Sequence, residues 1–406
     1  MQRAEQPESE RPAERGWRAV PRGVVVLGLV SLFMDISSEM IHALLPLYLT
    51  TVLGASVSMV GWIEGGAEAT AACLKVFSGA LSDRLGQRKW LAALGYALGA
   101  AAKPLFPLAD GIGWIVAGRF VDRVGKGIRA APRDALVGDL TPPELRGASY
   151  GLRQSLDSIG AQLGPALAVG LLALGASLQT VLWAAVAPAW IAVALISGAV
   201  REPQRRTPAT RAPIRRADLA RLDARYWALV AMSALLALSR LGEAFLVLRA
   251  HDVGVALALA PLVLVGMNLA YTLSSYPLGA LSDRIGRHAL LALGCGVLAA
   301  SHLALATTGA TYWGLVAGIA LFGLHMGLTQ GVLAALVADY TPESLRGTAF
   351  GVFHLASGVA LLFGSAGAGM LWDLLGPALT FGTGAALALL TLCVIASAGR
   401  SHRTGT

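Results

Sequence analysis

The chain has 406 residues, of which 55% are hydrophobic and only 14% charged, with a formal net charge of +8. A soluble domain carries about 25% charged residues, so this composition, with a mean hydropathy of +0.64, excludes a large soluble core and describes a polytopic membrane protein. The positive balance does not describe a nucleic-acid binder, because the basic residues collect in short segments between apolar runs, as the positive-inside rule requires.

Residues 1–22 form a polar tail of mixed charge, with no short apolar core and cleavage site of the kind a signal peptide carries. A helix needs about 20 mainly apolar residues to cross a bilayer. That length places spans 1 to 6 near 23–52, 57–81, 89–109, 112–138, 146–173 and 179–200. Residues 201–225 read as an Arg- and Pro-rich linker able to lie at an anionic membrane surface. Spans 7 to 12 follow near 226–249, 256–281, 289–308, 312–337, 346–371 and 376–398, and 399–406 is a short tail. The links after spans 1, 3 and 5 are short and nearly uncharged, whereas "SDRLGQRK" and "SDRIGRH" after spans 2 and 8 are basic. Both tails and the linker are therefore expected on the cytoplasmic side.

The second set of spans repeats the first. "GALSDRLG" at Gly79 returns as "GALSDRIG" at Gly279, and "LTPPELRGASYGL" at Leu140 returns as "YTPESLRGTAFGV" at Tyr340. Both recur at one offset, and a repeat of even span number gives halves of like topology, related by an axis along the membrane normal. The expected fold is all-α, with twelve transmembrane helices in a six-helix bundle over 23–200 and another over 226–398.

"GALSDRLGQRKW" resembles the loop signature of the major facilitator superfamily, Gly-x-Leu-Ala-Asp-Arg-x-Gly-Arg-Lys. "RVGKGIRAA" from Arg123 resembles that family's span 4 motif, with Lys126 where Gln is common. "GAQLGPALAVG" over 160–170 partly resembles the span 5 motif of its antiporters but has Ala168 and Val169 where a Gly pair follows. The resemblance covers about residues 23–398. It implies a conformational latch at Gly79, Asp83, Arg84, Gly86 and Arg88, with Gly279, Asp283 and Arg284 as the second copy; the alternative is a topology anchor alone. The Thr-Pro-x-x-x-Arg-Gly motif reads as the start of a helix, with Asp139 and Thr141 offering capping oxygens and Pro142 in the first turn. Gly160, Gly164 and Pro165 permit close helix packing and a local kink, with or without a part in coupling.

Ionisable groups inside apolar spans are costly and mark function. In "MDISSEMIH", Asp35, Glu39 and His42 share one helix face. Span 2 carries Glu64, Glu68 and Lys75 within about 40° of one another at 100° per residue. Span 4 carries Asp122, Arg123, Lys126, Arg129, Arg133 and Asp134, and span 5 adds Arg153 and Asp157. At the repeat offset, Arg123 meets Gly323, Arg153 meets Phe353, Asp157 meets Ser357 and Glu39 meets Ser239, so the second half is largely apolar. It keeps Arg240 and Glu243, with Asn268, Tyr271 and Phe353 as a mixed wall, and lone histidines that read as packed.

The candidates for proton coupling are Asp35 and Glu39, then Glu64 and Glu68. His42, Arg123, Lys126, Arg129, Arg133, Arg153, Asp157, Arg240 and Glu243 are the cavity charges or substrate contacts. The competing reading is a static ionic network that neutralises span 4. The expected function is proton-coupled secondary transport by alternating access, exporting a small amphipathic or charged compound. The alternatives are proton symport of a metabolite, with an anion met by Arg123 and Lys126, and a non-transporting sensor. No nucleophile, nucleotide loop or metal-ligand spacing emerges, and Cys73, Cys295 and Cys393 lie apart in apolar runs. The chain is therefore expected to be no enzyme, to need no cofactor beyond a proton gradient, and to act as a monomer in a bacterial-type inner membrane. Its expected partners are a small molecule, protons and lipid, not nucleic acid.

Overall fold

A computed structural model describes residues 20–85, 87–142, 145–201, 219–309, 312–342 and 345–401. The linker centre, Gly86 and the outer tails lie outside the described residues. So do the side chains of Asp83, Arg84, Asp283 and Arg284.

Twelve helical spans follow one another in the expected order. The first half holds span 1 (Arg22–Leu47, prolonged by a π turn Tyr48–Val52), span 2 (Val57–Leu85), span 3 (Arg88–Ala102), span 4 (Ile112–Leu140), span 5 (Arg146–Ala173) and span 6 (Leu178–Ala184 and Val186–Ala199). The second half holds span 7 (Ala224–Ser239 and Ala244–Asp252), span 8 (Leu262–Ile285), span 9 (Arg287–Thr307), span 10 (Trp313–Asp339), span 11 (Arg346–Leu375) and span 12 (Pro377–Ser401).

Local sequence explains where the helices depart from uniform rods. Span 3 closes in a 3-10 turn, Lys103–Leu105, at Pro104. Span 6 breaks at Ala185, because Pro188 lacks the N–H that the Ala184 carbonyl would accept. Span 8 starts at Leu262, after Pro261, and residues 257–261 form turns rather than the helix expected from 256. Span 7 opens at residues 240–243, within its membrane-crossing length. Non-helical backbone at that depth is tolerated only where protein buries it or it lines a cavity.

Eight of the spans are long and apolar enough to cross a bilayer by composition, among the described residues. The other four have identifiable reasons. Spans 2 and 4 carry the buried charges, span 3 has fifteen helical residues, and span 8 has a short apolar stretch, Leu262–Ser275. Trp62, Trp90, Trp114, Trp183, Trp227 and Trp313 stand outward near helix ends, where amphipathic rings favour the membrane interface.

The duplication is visible in the packing. Span pairs 1–5, 2–4, 3–4 and 3–6 of the first half recur as 7–11, 8–10, 9–10 and 9–12. The ion pair Arg88–Asp139 (2.8 Å) likewise recurs as Arg287–Asp339, each joining the start of one span to the end of the next. This corrects the expected cap: Asp139 ends span 4 opposite Arg88, and the Thr141 hydroxyl donates to the Val137 carbonyl (2.6 Å). Span 5 opens with Leu145 at its N-cap and no side-chain cap there.

The halves meet along spans 2 and 11 and, less extensively, along spans 5 and 8. Gly61 makes the first contact possible, since a Cβ there would stand 2.2 Å from the Ser365 carbonyl oxygen. At the end far from the termini, Leu44, Leu45, Tyr48 and Leu49 of span 1 pack in one apolar cluster with Ile63, Ala244 and Leu248. There the Asp373 carboxylate of span 11 accepts the backbone N–H groups of Val57 (3.1 Å) and Ser58 (2.8 Å), capping span 2 across the half interface. Arg249 fixes the neighbouring corner: its guanidinium donates to the Leu305 (3.0 Å) and Thr308 (2.7 Å) carbonyls and pairs with Asp252.

Candidate functional site: a charged cavity between the halves

Three connected lobes lie between the halves. A central lobe of about 270 Å³ is lined by Glu39, His42, Glu64, Glu68, Arg123 and Lys126 from the first half, and by Arg240, Glu243 and Gln330 from the second. A second lobe of about 270 Å³ shares Glu39 and Lys126 and adds Asp35, Arg129, Arg133 and Asp157, facing Asn268, Tyr271 and Thr272 of span 8. A third, of about 320 Å³, shares Arg240 and Gln330 and is walled by Leu236, Leu333, Phe350, Phe353 and His354. The Tyr271 hydroxyl donates to the Gln330 amide oxygen (3.0 Å) between the second and third lobes. Asn268 and Tyr271 therefore face one lobe and Phe353 another, rather than forming a single wall.

Helix geometry explains why span 1 contributes a stripe. Asp35 opens on the second lobe, Glu39 on both shared lobes and His42 on the central one. Span 5 approaches this stripe closely because Gly160 and Gly164 lack a Cβ. One there would stand 2.8 Å from the Leu32 and Ile36 carbonyl oxygens respectively. Pro165 is buried within the same helix.

Most of the charges are paired inside the first half. Glu64 meets Arg119 at 2.5 Å, and Lys103 meets Asp122 at 2.8 Å and the Ser38 hydroxyl at 2.9 Å. Arg123 bridges Glu68 (2.9 Å) and Asp122 (3.3 Å). His42 reaches Glu39 with Nδ1 (3.3 Å) and Glu64 with Nε2 (3.4 Å). A ring carrying both protons donates to both carboxylates; a neutral ring donates to one. A second cluster joins Arg133 to Asp134 (3.0 Å), and Arg153 to Asp157 (2.7 Å) and Asp134 (3.5 Å). In the second half Arg240 and Glu243 stand 3.8 Å apart.

Three cavity groups stand outside these pairs. Asp35 makes no ion pair and no hydrogen bond among the described residues, and neither does Lys126. Arg129 lies over the Tyr96 ring, 5.0 Å from its centroid, and its buried Nη1 has no hydrogen-bond partner among the described residues.

Arg119 and Lys103 escaped the sequence reading, although each is only 1% exposed. Arg119 lies one helical turn before Arg123 on the same face, a signal that was available. Lys103 stands at the close of an apolar span beside Pro104, where it reads as an interfacial anchor. His302 Nε2 donates to the Ser239 carbonyl (3.0 Å) and His325 Nδ1 to that of Gly294 (2.9 Å), so both are buried and bonded to backbone, while His325 and His354 both line the third lobe. Among the described residues no group of His, Cys, Asp or Glu is placed to hold a metal ion.

Comparison with known proteins agrees with this architecture. A family model described as Major Facilitator Superfamily matches residues 27–248 and 228–404. An uncharacterized MFS-type transporter of Methanocaldococcus jannaschii is 31% identical over 383 residues, covering 92% of this chain and 94% of its own. The inner membrane transport protein YajR of Escherichia coli is 25% identical over 379 residues, covering 91% and 81%. Among solved structures, the nucleoside transporter NupG superposes with a TM-score of 0.79 at 12% identity, over 93% of this chain and 99% of that one. A POT family transporter in complex with 5-aminolevulinic acid superposes with a TM-score of 0.80 at 12% identity, over 94% and 97%. The chain belongs to the major facilitator superfamily of membrane transporters.

Proposed function

We propose that the protein is a proton-coupled secondary transporter that works by alternating access, with Asp35 as the carboxylate that takes up and releases the proton. The observation that carries this reading is that Asp35 faces the cavity with no ion pair or hydrogen bond among the described residues, while Glu64, Glu68 and Asp157 each have an arginine within 2.9 Å and Glu39 is bonded to His42 at 3.3 Å. A carboxylate held by a fixed cation cannot change its proton load without breaking that pair. Asp35 changes charge at no such cost, and its charge is felt by whatever occupies the lobe. The apolar cluster of Leu44, Tyr48 and Leu248, with the Asp373 cap, serves as the gate at the far end.

Lys126 favours one coupling sense. An ionised Asp35 offsets part of the positive charge of Lys126, Arg129 and Arg133 in the lobe they share; a protonated Asp35 leaves more of that charge to an anion. Proton and anion then load together, which is co-transport into the cell. Exchange of protons for an exported compound is the second reading, supported by the span 5 Gly-Pro segment packed on span 1. By similarity to YajR, an inner membrane transport protein, we place the chain in the cytoplasmic membrane, and we take it to act as a monomer. Both termini then lie in the cytoplasm, and the proton gradient supplies the energy.

The test is flux in proteoliposomes, once a screen of cells overexpressing or lacking the protein supplies a substrate. Asp35→Asn is expected to abolish gradient-driven transport while preserving insertion and folding. Undiminished gradient-driven transport in Asp35→Asn would remove the assignment.

A further inference from the structure

Lys126 and Arg240 reach the central lobe from opposite halves, one from span 4 and the other from the break in span 7. Because the backbone leaves the helix at Arg240 (φ −82°, ψ 86°), its side chain lies at the junction of the central and third lobes. The second helix of span 7, Ala244–Asp252, begins in the same wall, with Gly242 and Ala244 lining the cavity. Helix starts of this kind, interrupted at membrane depth, favour negative charge.

Each carboxylate of the central lobe has a nearer partner than Lys126. Glu64 is held by Arg119, Glu68 by Arg123 and Glu39 by His42, each within the first half. Glu243 faces Arg240 only at 3.8 Å. The Lys126 ammonium shares the lobe with Glu39 and Glu68 but makes no ion pair with either, and the Arg240 guanidinium is only loosely held, so these two cations are the ones left able to meet a ligand's anionic head.

Beyond Arg240 the third lobe changes character. Phe350 and His354 stack with ring centroids 6.2 Å apart, and Phe353 meets His354 edge-on at 5.4 Å. Among the described residues its lining holds no Asp or Glu, and Glu243, 3.8 Å from Arg240, lines the central lobe instead, so a cation in the third lobe would meet Arg240 with no acid beside it. At about 320 Å³ it lies at the small end of ligand pockets, roughly 300–1,000 Å³.

We propose that the substrate is a small amphipathic anion carrying an aromatic ring, its anionic head held between Lys126 and Arg240 and its ring seated among Phe350, Phe353 and His354. Such a molecule bridges the two halves, so its presence changes the contacts that decide which end of the cavity is open. The inference rests on the transport reading above and is independent of the direction of proton movement.

Equilibrium binding to the purified full-length protein tests it, with benzenesulfonate as a permanently anionic probe. Benzenesulfonamide serves as the neutral isostere, methanesulfonate as the anion without a ring, and benzyltrimethylammonium as the cation. Thermal stabilisation is expected with benzenesulfonate at ~10-fold lower concentration than with the neutral or ringless probe. Lys126→Gln is expected to weaken it ~10-fold, and Lys126→Arg, which keeps the charge, to restore it. Phe353→Ala should remove the preference for benzenesulfonate over methanesulfonate. Equal binding of the neutral isostere, preference for the cation, or unchanged affinity in a folded Lys126→Gln each overturns the proposal. Because binding is read without a gradient, the two readings fail separately. Asp35→Asn that transports like the wild type overturns proton coupling alone. Asp35-dependent flux of a compound that benzenesulfonate does not compete with overturns the anion assignment alone.

Discussion

Asp35 on span 1 and Lys126 on span 4 line the same lobe, and neither has an ion-pair or hydrogen-bond partner among the described residues. With Glu64, Glu68 and Asp157 each held by an arginine, Asp35 is the acid whose charge is free to change, and Lys126 and Arg129 are the cations in its lobe outside any ion pair among the described residues. Asp35→Asn is expected to reduce proton-driven uptake in proteoliposomes by at least ~100-fold, the scale of losing a positioned proton-transfer group. Substrate counterflow, which needs no net proton movement, should persist. Glu39→Gln leaves Asp35 in place and is expected to lower the rate without abolishing it. Loss of both activities in Asp35→Asn would mean that the residue holds the structure and not the proton.

The ion pair between Glu64 and Arg119 is expected to be structural. Arg119 is 1% exposed at its side chain and Glu64 7%. Glu64→Gln leaves the Arg119 guanidinium buried without its nearest counter-charge, at a cost of ~3–5 kcal/mol. A lower melting temperature in detergent should report it, and the double variant Glu64→Gln with Arg119→Leu should recover part of the loss. A melting temperature unchanged by Glu64→Gln would show that Asp122, 4.0 Å from Arg119, suffices as its counter-charge.

How far the site could be read in advance follows from these residues. A buried charge in an apolar run is visible in sequence because its cost does not depend on neighbours, so Asp35, Glu39, Glu64, Arg123 and Lys126 stood out at once. Which acid meets which base depends on the rotation and tilt of four helices together, and a single helix does not encode that. Periodicity put Asp35 and Glu39 on one face as equal candidates; only packing separates Glu39, bonded to His42, from Asp35. The break in span 7 was written in "SRLGE", polar residues around a glycine inside an apolar run. It passed unseen because the run is long enough to cross the membrane as one helix. The fold was legible earlier, since two motifs at one offset fix span number and symmetry independently of any side-chain contact.

Asp373 joins the halves at the far end by accepting two backbone N–H groups of span 2. Asp373→Asn removes the charge and one of the two acceptors. Because the contact is exposed and screened, the expected effect is about 5-fold on the equilibrium between the two open states, favouring opening at the far end. Alkylation of a cysteine placed at Leu248, buried behind the cap, should quicken by that factor in the Asp373→Asn background. An unchanged rate would leave the apolar cluster as the gate by itself.

Gly164 sets the distance between spans 5 and 1. Its Cβ would stand 2.8 Å from the Ile36 carbonyl oxygen and from the Glu39 Cβ, and 3.0 Å from the Met40 nitrogen, atoms of the span 1 backbone or fixed directly to it that cannot give way alone. Gly164→Ala is expected to cost ~1–3 kcal/mol of stability and to displace the stripe that carries Asp35 and Glu39. Transport should therefore fall further than thermal stability alone explains. Gly170, whose Cβ meets nothing within 4 Å, is the control on the same helix, and Gly170→Ala should be neutral.

The sense of coupling can be read from a single sign. Proteoliposomes with equal internal and external pH and an entrapped pH-sensitive dye receive benzenesulfonate outside. The probe is a permanent anion and carries no proton across lipid by itself, so any change inside comes through the protein. If protonation of Asp35 frees Lys126 for the anion, the two load together and the lumen acidifies as the probe enters. If proton and substrate compete for the cavity, protons leave as the probe enters and the lumen becomes alkaline. Acidification is the expected result, because Asp35 and Lys126 share one lobe and Asp35 is the acid there that has no ion pair of its own among the described residues. A one-to-one movement of proton and monoanion carries no net charge, so the rate should also be insensitive to a membrane potential set with potassium and valinomycin.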